Sequence, residues 1–70
     1  MEPWKVAFKA EYDALMQNIA SLQDTLDQMD AGTLTIDVKS PRTLVFHQLH
    51  TMNVYADIMR QRAVIEEITL

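Results

Sequence analysis

The sequence predicts an all-α fold: an antiparallel two-helix hairpin with a short extended or strand-like connector, assembling as a homo-oligomer. Apolar residues recur at alternating steps of four and three over three heptads, and a second apolar series follows a single interruption. A chain of 70 residues is also too short to bury this much apolar surface alone. Residues 1–70 are expected to form one domain, with helices at about 3–30 and 40–67 and a connector at 31–39.

The first predicted helix is defined by its apolar seam. Pro3 suits the first helical position because its φ is fixed and it lacks an N–H. Gly32 follows the last seam residue and is expected to cap the helix in the left-handed conformation. The seam consists of Phe8, Tyr12, Leu15, Ile19, Leu22, Leu26 and Met29.

The connector contains residues 33–38, in which polar and apolar side chains alternate. A period of two with β-branched residues is typical of a strand, which could pair with the same strand of a second copy. The alternative is an extended loop that packs Leu34, Ile36 and Val38 over the end of the hairpin. The sequence leaves both open.

The second predicted helix starts with Ser40 as N-cap and Pro41 at the first position. It has two apolar faces, and the first helix can cover only one of them. The excess apolar surface is the main argument for a homo-oligomer, and residues 66–70 are expected to fray or to dock on a neighbour. One face carries Val45, Leu49, Met52, Ala56, Met59 and Ala63, and the other carries Leu44, Tyr55, Ile58 and Ile65. The predicted oligomer interface comprises Leu49, Met52, Tyr55, Ile58 and Ile65.

Composition excludes several classes of protein. The chain has no Cys, so it has no disulfide and no thiolate metal site. It has no run of about 18 apolar residues that could span a membrane, and its start lacks the features of a signal peptide, so we expect a cytoplasmic protein. The net charge of −4 argues against general nucleic-acid binding. We expect no catalytic residues and no cofactor, because no nucleophile–base pair, phosphate loop or carboxylate pair is present.

The charges are unevenly divided between the two predicted helices. Residues 1–30 carry six acidic and two basic residues, whereas residues 38–65 carry four basic residues and one acidic residue. An acidic helix beside a basic one explains antiparallel pairing without any functional claim.

Two histidines, His47 and His50, share a helix face through their i, i+3 spacing. Two ligands are too few for a metal site, and no carboxylate lies one turn further on. We therefore expect no bound metal, and we interpret both histidines as flank residues or as partners of carboxylates on the first helix.

The start of the second helix is the first candidate binding site. Lys39 and Arg42 place positive charge where the helix dipole is already positive, so something negative should neutralise them. One possibility is internal, because a hairpin brings Asp27 and Asp30 to this corner. The other is a bound anion, held by backbone N–H groups together with Arg42, Lys39 and the hydroxyls of Ser40 and Thr43.

A second candidate patch comprises Trp4, Lys5, Lys9 and Tyr12 near the start of the chain. Aromatic rings beside cations can bind a nucleotide-like ligand by stacking and charge. The alternative is that Trp4 and Tyr12 simply pack at the end of the hairpin. The ligand-binding candidates are therefore Arg42, Thr43, Lys39, Ser40, Tyr12 and Lys5.

The second helix carries Leu44, Leu49, Met52, Tyr55, Ile58 and Arg62 after a long helix and a short loop. This arrangement resembles very small phage-encoded helical proteins, some related to a reading frame of crAss-like phages. It is more loosely similar to the hairpin domain of viral sponge proteins, the anti-CBASS and anti-Thoeris inhibitors that sequester cyclic-nucleotide signals of bacterial immunity. In those hairpins a Pro and an Arg open the second helix, here Pro41 and Arg42. The resemblance implies phosphate binding by Arg42 and Thr43.

The first functional hypothesis is a non-enzymatic phage protein that oligomerises and sequesters a small anionic nucleotide-type signal, such as a cyclic nucleotide, between protomers. The second is a protein–protein interaction module that binds and blocks a host protein. The third is a purely structural assembly role.

Overall fold

The protein is an antiparallel helical hairpin. The computed structural model describes residues 2–70, which form helix α1 (Pro3–Ala31) and helix α2 (Arg42–Ile65) in a body 44 Å long. Arg42 contacts Asp30 at one end, the connector end, and Lys5 contacts Glu66 at the other, the open end. The predicted all-α hairpin is confirmed, whereas the homo-oligomer remains a prediction.

Helix α1 begins and ends where the sequence predicts. Pro3 is its first residue, and Gly32 follows its end with φ 71°, the left-handed conformation that glycine adopts without strain. The N–H of Gly32 donates to the carbonyl of Met29, and that of Thr33 donates to the carbonyl of Gln28. These two bonds satisfy carbonyls that the helix end would otherwise leave free.

Helix α2 begins one residue later than predicted. Pro41 has an extended backbone and occupies the N-cap position, and its carbonyl accepts the N–H groups of Leu44 and Val45. No side chain caps this end, so the prediction that Ser40 is the N-cap is wrong. The reason is local: the first helical hydrogen bonds start from the Pro41 carbonyl, which leaves Ser40 outside the turn.

The C-terminal end of α2 turns the chain back onto the hairpin. The N–H of Ile68 donates to the carbonyl of Ala63, and the N–H of Glu67 donates to the carbonyl of Val64. This pattern is a Schellman motif, with Glu67 in the left-handed conformation at φ 58°. Ile68 is consequently buried in its own protomer. The expectation that residues 66–70 fray or dock on a neighbour is therefore wrong for Ile68.

Replacing Glu67 by glycine is expected to stabilise the fold. An L side chain at this φ is strained, and glycine is not, so Glu67→Gly should raise the free energy of unfolding by about 1 kcal/mol. Urea denaturation at fixed protein concentration measures the change. Glu66→Gly is the matched control, since Glu66 has an ordinary φ of −87° and should gain nothing. Equal effects of the two changes would contradict the motif.

The core consists of two apolar clusters between the helices. The seam of α1 packs against the first apolar face of α2, so the structure decides which α2 face is covered. Ala56 is completely buried, and its small side chain allows the helices to approach closely. The cluster toward the connector contains Ile19, Leu26, Val45, Leu49 and Ala56, and the cluster toward the open end contains Phe8, Met59, Ala63 and Ile68.

Two of the five residues predicted for the oligomer interface belong instead to the core of the protomer. Leu49 is buried against α1 and Met52 packs beside it, so both belong to the core of the protomer. Tyr55, Ile58 and Ile65, in contrast, remain exposed on the uncovered face of α2. Sequence periodicity placed all five on apolar faces but could not separate the covered face from the free one.

The connector is a loop. No strand forms within residues 2–70, because the extended segment has no neighbouring strand to pair with in this chain. Leu34 and Val38 are half-buried, whereas Ile36 points to solvent, so only part of the predicted loop packing is present. An open cleft of about 320 Å³ lies beneath this loop, next to Met29. Among the described residues, neither helix is long and apolar enough to cross a membrane.

Candidate ligand-binding site

Arg42 at the connector end is held by an internal ion pair. Its Nε donates to Oδ1 of Asp30 at 2.5 Å, and its Nη2 donates to Oδ2 at 3.0 Å. Its guanidinium carbon also lies 5.8 Å from the centre of the Phe46 ring. This bidentate contact is the internal alternative that the sequence left open. It occupies the guanidinium edge that a phosphate would use.

The Arg42–Asp30 pair makes stability depend on pH. The hydrogen bond from Arg42 lowers the pKa of Asp30 below its ordinary 3.8, although slight desolvation opposes the shift. A lowered carboxyl pKa contributes stability above the unfolded value, and this contribution disappears as pH falls through the folded value.

We therefore expect Asp30→Asn to destabilise the protein at neutral pH. The difference from the native chain should begin to shrink as pH falls below about 4, where Asp30 is protonated in the unfolded state, and should vanish once pH is below the lowered folded pKa. Urea denaturation at a series of pH values measures it. Asp27→Asn is a matched control, since Asp27 accepts a hydrogen bond from the amide of Gln23. The interpretation fails if both variants show the same pH dependence.

The other candidates at the connector end do not converge on Arg42. Lys39 forms an exposed salt bridge with Asp37 at 2.8 Å, and not with Asp27 or Asp30. Ser40 and Thr43 are exposed, and their hydroxyls make no hydrogen bond within residues 2–70. The sequence correctly places these groups at one end of the hairpin. However, Lys39 and Arg42 each already form a salt bridge with a carboxylate.

Lys5 and Tyr12 lie near the open end. The Nζ of Lys5 donates to the carbonyl of Glu66 at 2.7 Å and lies 5.7 Å from the centre of the Trp4 ring. The hydroxyl of Tyr12 accepts a hydrogen bond from Nη1 of Arg60 at 2.9 Å. Tyr12 is partly buried against both core clusters. For this residue, packing at the end of the hairpin and binding a ligand therefore do not exclude each other.

The six predicted ligand-binding residues do not form one site in a single chain. Arg42 and Arg60 are 18 residues apart on α2, which corresponds to about 27 Å at a rise of 1.5 Å per residue. Lys5 and Tyr12 are therefore far from Arg42 and its neighbours. Only a second copy could bring the two groups together.

Arg60 and Arg62 were not predicted as site residues. The guanidinium carbon of Arg60 lies 5.9 Å from the centre of the Tyr12 ring, and that of Arg62 lies 5.0 Å from the centre of the Phe8 ring. Neither forms a salt bridge with a carboxylate among the described residues. The sequence did contain a signal for these two arginines. Antiparallel pairing of the helices places the end of α2 beside the aromatic residues at the start of α1.

Tyr55 links the uncovered face of α2 to α1. Its hydroxyl donates a hydrogen bond to the carboxylate of Glu11, and this bond raises the pKa of Tyr55 above 10. A raised pKa contributes stability that is present below the unfolded value and is lost as pH rises through the folded value. Ionisation of Tyr55 therefore weakens this contact in strongly alkaline solution.

The histidines do not form a metal site with other groups. His47 and His50 are both exposed on α2. Within residues 2–70, no three His, Cys, Asp or Glu side chains are grouped in a way that could hold a metal ion.

The fold and these contacts define a small α-helical hairpin protein with lysine and arginine side chains beside aromatic rings at its open end. The chain belongs to the Sequestin family, whose family model matches residues 2–65. That description fits a small sequestering protein. No curated protein and no solved structure matches the chain.

Proposed function

We propose that this protein is a non-enzymatic phage anti-defence protein that sequesters a small anionic nucleotide-type immune signal. The observation that carries the proposal is the match to the Sequestin family over residues 2–65, because the family name describes retention of a molecule. The resemblance of the second helix to the hairpin of viral sponge proteins supports a nucleotide-type signal and a phage origin. The protein then acts by lowering the free concentration of the signal, without chemistry.

The distribution of charge supports a small ligand. The whole chain has a net charge of −4, which repels an extended polyanion such as nucleic acid. Lys5, Arg60 and Arg62 nevertheless lie beside aromatic rings at the open end and form no salt bridge among the described residues. A compact anion with a flat base can contact such groups and avoid most of the acidic surface.

A homo-oligomer is part of the proposal. Leu44, Tyr55, Ile58 and Ile65 leave an uncovered apolar face on α2, and Ile65 is 78% exposed. A second copy is the occupant that we propose for this face. The basic half of one chain and the acidic half of another attract each other, and burial of this face would compensate for the small core.

Capture of a ligand tests the function. The protein is purified from bacteria in which an immune signalling system has been activated, and its native mass is compared with its denatured mass. We expect an oligomer that carries a fixed number of small molecules, which denaturation releases and which mass spectrometry identifies as phosphate-containing nucleotides. Purification from unactivated bacteria is the control. An oligomer that carries no nucleotide after activation would contradict the proposal.

The second candidate function is capture of a host protein. The uncovered α2 face favours it, because exposed apolar surface is typical of protein interaction sites. The same purification separates the two functions. A host polypeptide bound in a fixed ratio, with no bound nucleotide, would favour the second candidate, and a bound nucleotide with no polypeptide favours the first.

A further inference from the structure

The three arginines of this chain differ in which N–H groups are free, and Arg62 makes no side-chain hydrogen bond within residues 2–70 to orient it. The Nε and Nη2 groups of Arg42 both donate to Asp30. Arg60 instead uses Nη1, which donates to the Tyr12 hydroxyl at 2.9 Å and approaches the sulfur of Met16 at 3.9 Å. Its Nε–Nη2 edge has no acceptor within residues 2–70. That edge is the one that binds a carboxylate or phosphate with two parallel hydrogen bonds.

Contacts on α1 hold Arg60 in place. Nη1 of Arg60 contacts the hydroxyl of Tyr12 and the sulfur of Met16, and the guanidinium carbon lies 5.9 Å from the centre of the Tyr12 ring. None of these groups carries a negative charge that would neutralise Arg60. The arginine is therefore oriented, yet its charge remains available to a ligand.

Carboxylates close in sequence to Arg60 and to Tyr12 have other partners. Asp57 lies one turn before Arg60 and accepts a hydrogen bond from Gln61, and Asp13, next to Tyr12, forms a salt bridge with Lys9 at 3.0 Å. An anion at Arg60 would therefore compete with no existing ion pair of that residue. An anion at Arg42 would first have to displace Asp30.

We propose that Arg60, positioned by Tyr12, binds a phosphate group of the sequestered ligand at the open end of the hairpin. The site rests on the proposed function for its ligand class, a phosphate-bearing nucleotide. It differs from the site at Arg42 and Thr43 that the resemblance implies. The Nε–Nη2 edge of Arg60 donates two hydrogen bonds to the phosphate, and the Tyr12 ring keeps the guanidinium in position.

Nuclear magnetic resonance can test this site with inorganic pyrophosphate as the probe. The Nε–H signals of the three arginines are followed in the native protein during titration at constant ionic strength. We expect the Arg60 signal to shift and saturate, while the Arg42 signal stays fixed by its bond to Asp30. Arg60→Met should weaken pyrophosphate binding by about tenfold or more, because two charge-assisted hydrogen bonds are lost. Arg42→Met is the matched control and should leave the affinity unchanged.

Two outcomes overturn the site: the Arg42 or the Arg62 signal saturates first, or no arginine signal shifts beyond the effect of chloride. Repeating the capture experiment with both variants separates this inference from the proposed function. If Arg60→Met retains the nucleotide and Arg42→Met loses it, the function stands and the site is wrong. If the native protein captures no nucleotide but pyrophosphate shifts Arg60, the anion site stands and the function is wrong. Circular dichroism verifies that each variant keeps its helices.

Discussion

Met59→Ala is expected to lower the free energy of unfolding by about 2–5 kcal/mol, the usual range for removing a long buried side chain. Met59 is only 1% exposed and belongs to the cluster that joins α1, α2 and the C-terminal tail. Its partners there are Phe8, Ala63 and Ile68. Ala63 is too small to fill the space that the shortened side chain leaves.

The effect is large relative to the whole stability of this chain. A 70-residue domain has little core, so the loss is a substantial part of a total free energy of unfolding on the order of 5 kcal/mol. Urea denaturation followed by circular dichroism measures it, at one fixed protein concentration because self-association would contribute to stability.

Met16→Ala is the matched control for Met59→Ala. Met16 lies on α1 at the edge of the hairpin, 36% exposed, so its truncation leaves no internal cavity. Alanine also has the higher helix propensity, and the change should stay within about 0.5 kcal/mol. If the two methionine variants lose equal stability, the open-end cluster is not the core that the structure describes.

Ile58→Glu is expected to convert the proposed homo-oligomer into monomers. Ile58 is 48% exposed on the uncovered face of α2, so the change does not disturb the core of the protomer. Within an oligomer it would bury a carboxylate in an apolar contact without a partner, which costs more free energy than a small interface provides. Light scattering after size-exclusion chromatography measures the mass, and circular dichroism shows whether the hairpin persists.

Val64→Glu provides the control for Ile58→Glu. Val64 is 79% exposed on the same helix and lies about 120° around its axis from Ile58. It should retain the oligomeric mass, because it is not on the face formed by Leu44, Tyr55, Ile58 and Ile65. Dissociation by both variants would indicate a general charge effect, and a native protein that is already monomeric would refute the homo-oligomer.

The two variants also connect assembly with ligand capture. If the ligand lies between protomers, Ile58→Glu should lose the captured nucleotide together with the oligomer. If one open end suffices, as the contacts of Arg60 with Tyr12 suggest, the monomeric variant should still shift its Arg60 signal with pyrophosphate. The pair of measurements therefore separates binding by one hairpin from binding that needs two.

Several features of the fold followed from the sequence because they depend on near neighbours. The seam spacing predicted α1, and Pro3 and Gly32 predicted its two ends, since helix period and capping are local properties of the chain. The N-cap of α2 was misplaced by one residue, because Ser40 and Pro41 both suit the start of a helix and only the backbone distinguishes them.

The candidate site was less predictable, because it depends on contacts between distant residues. Residue types and the helix dipole showed that Arg42 needs a negative partner, but a carboxylate and a phosphate satisfy that need equally well. The structure supplies Asp30 for Arg42 and so leaves a free edge on Arg60 and Arg62, of which only Arg60 is oriented by a hydrogen bond to Tyr12. No spacing within α2 marks Arg60, since its value as a site comes from Tyr12, 48 residues earlier.

The sequence by itself therefore determined two helices, their approximate ends, their opposite charges and an excess of apolar surface. Tertiary structure decided which α2 face is covered, that Ile68 packs on its own hairpin, and that residues 33–38 form a loop. The physical reason is the range of the interactions involved. Backbone hydrogen bonding and helix period act over about one turn, whereas burial and ion pairing depend on the register with which α1 and α2 meet.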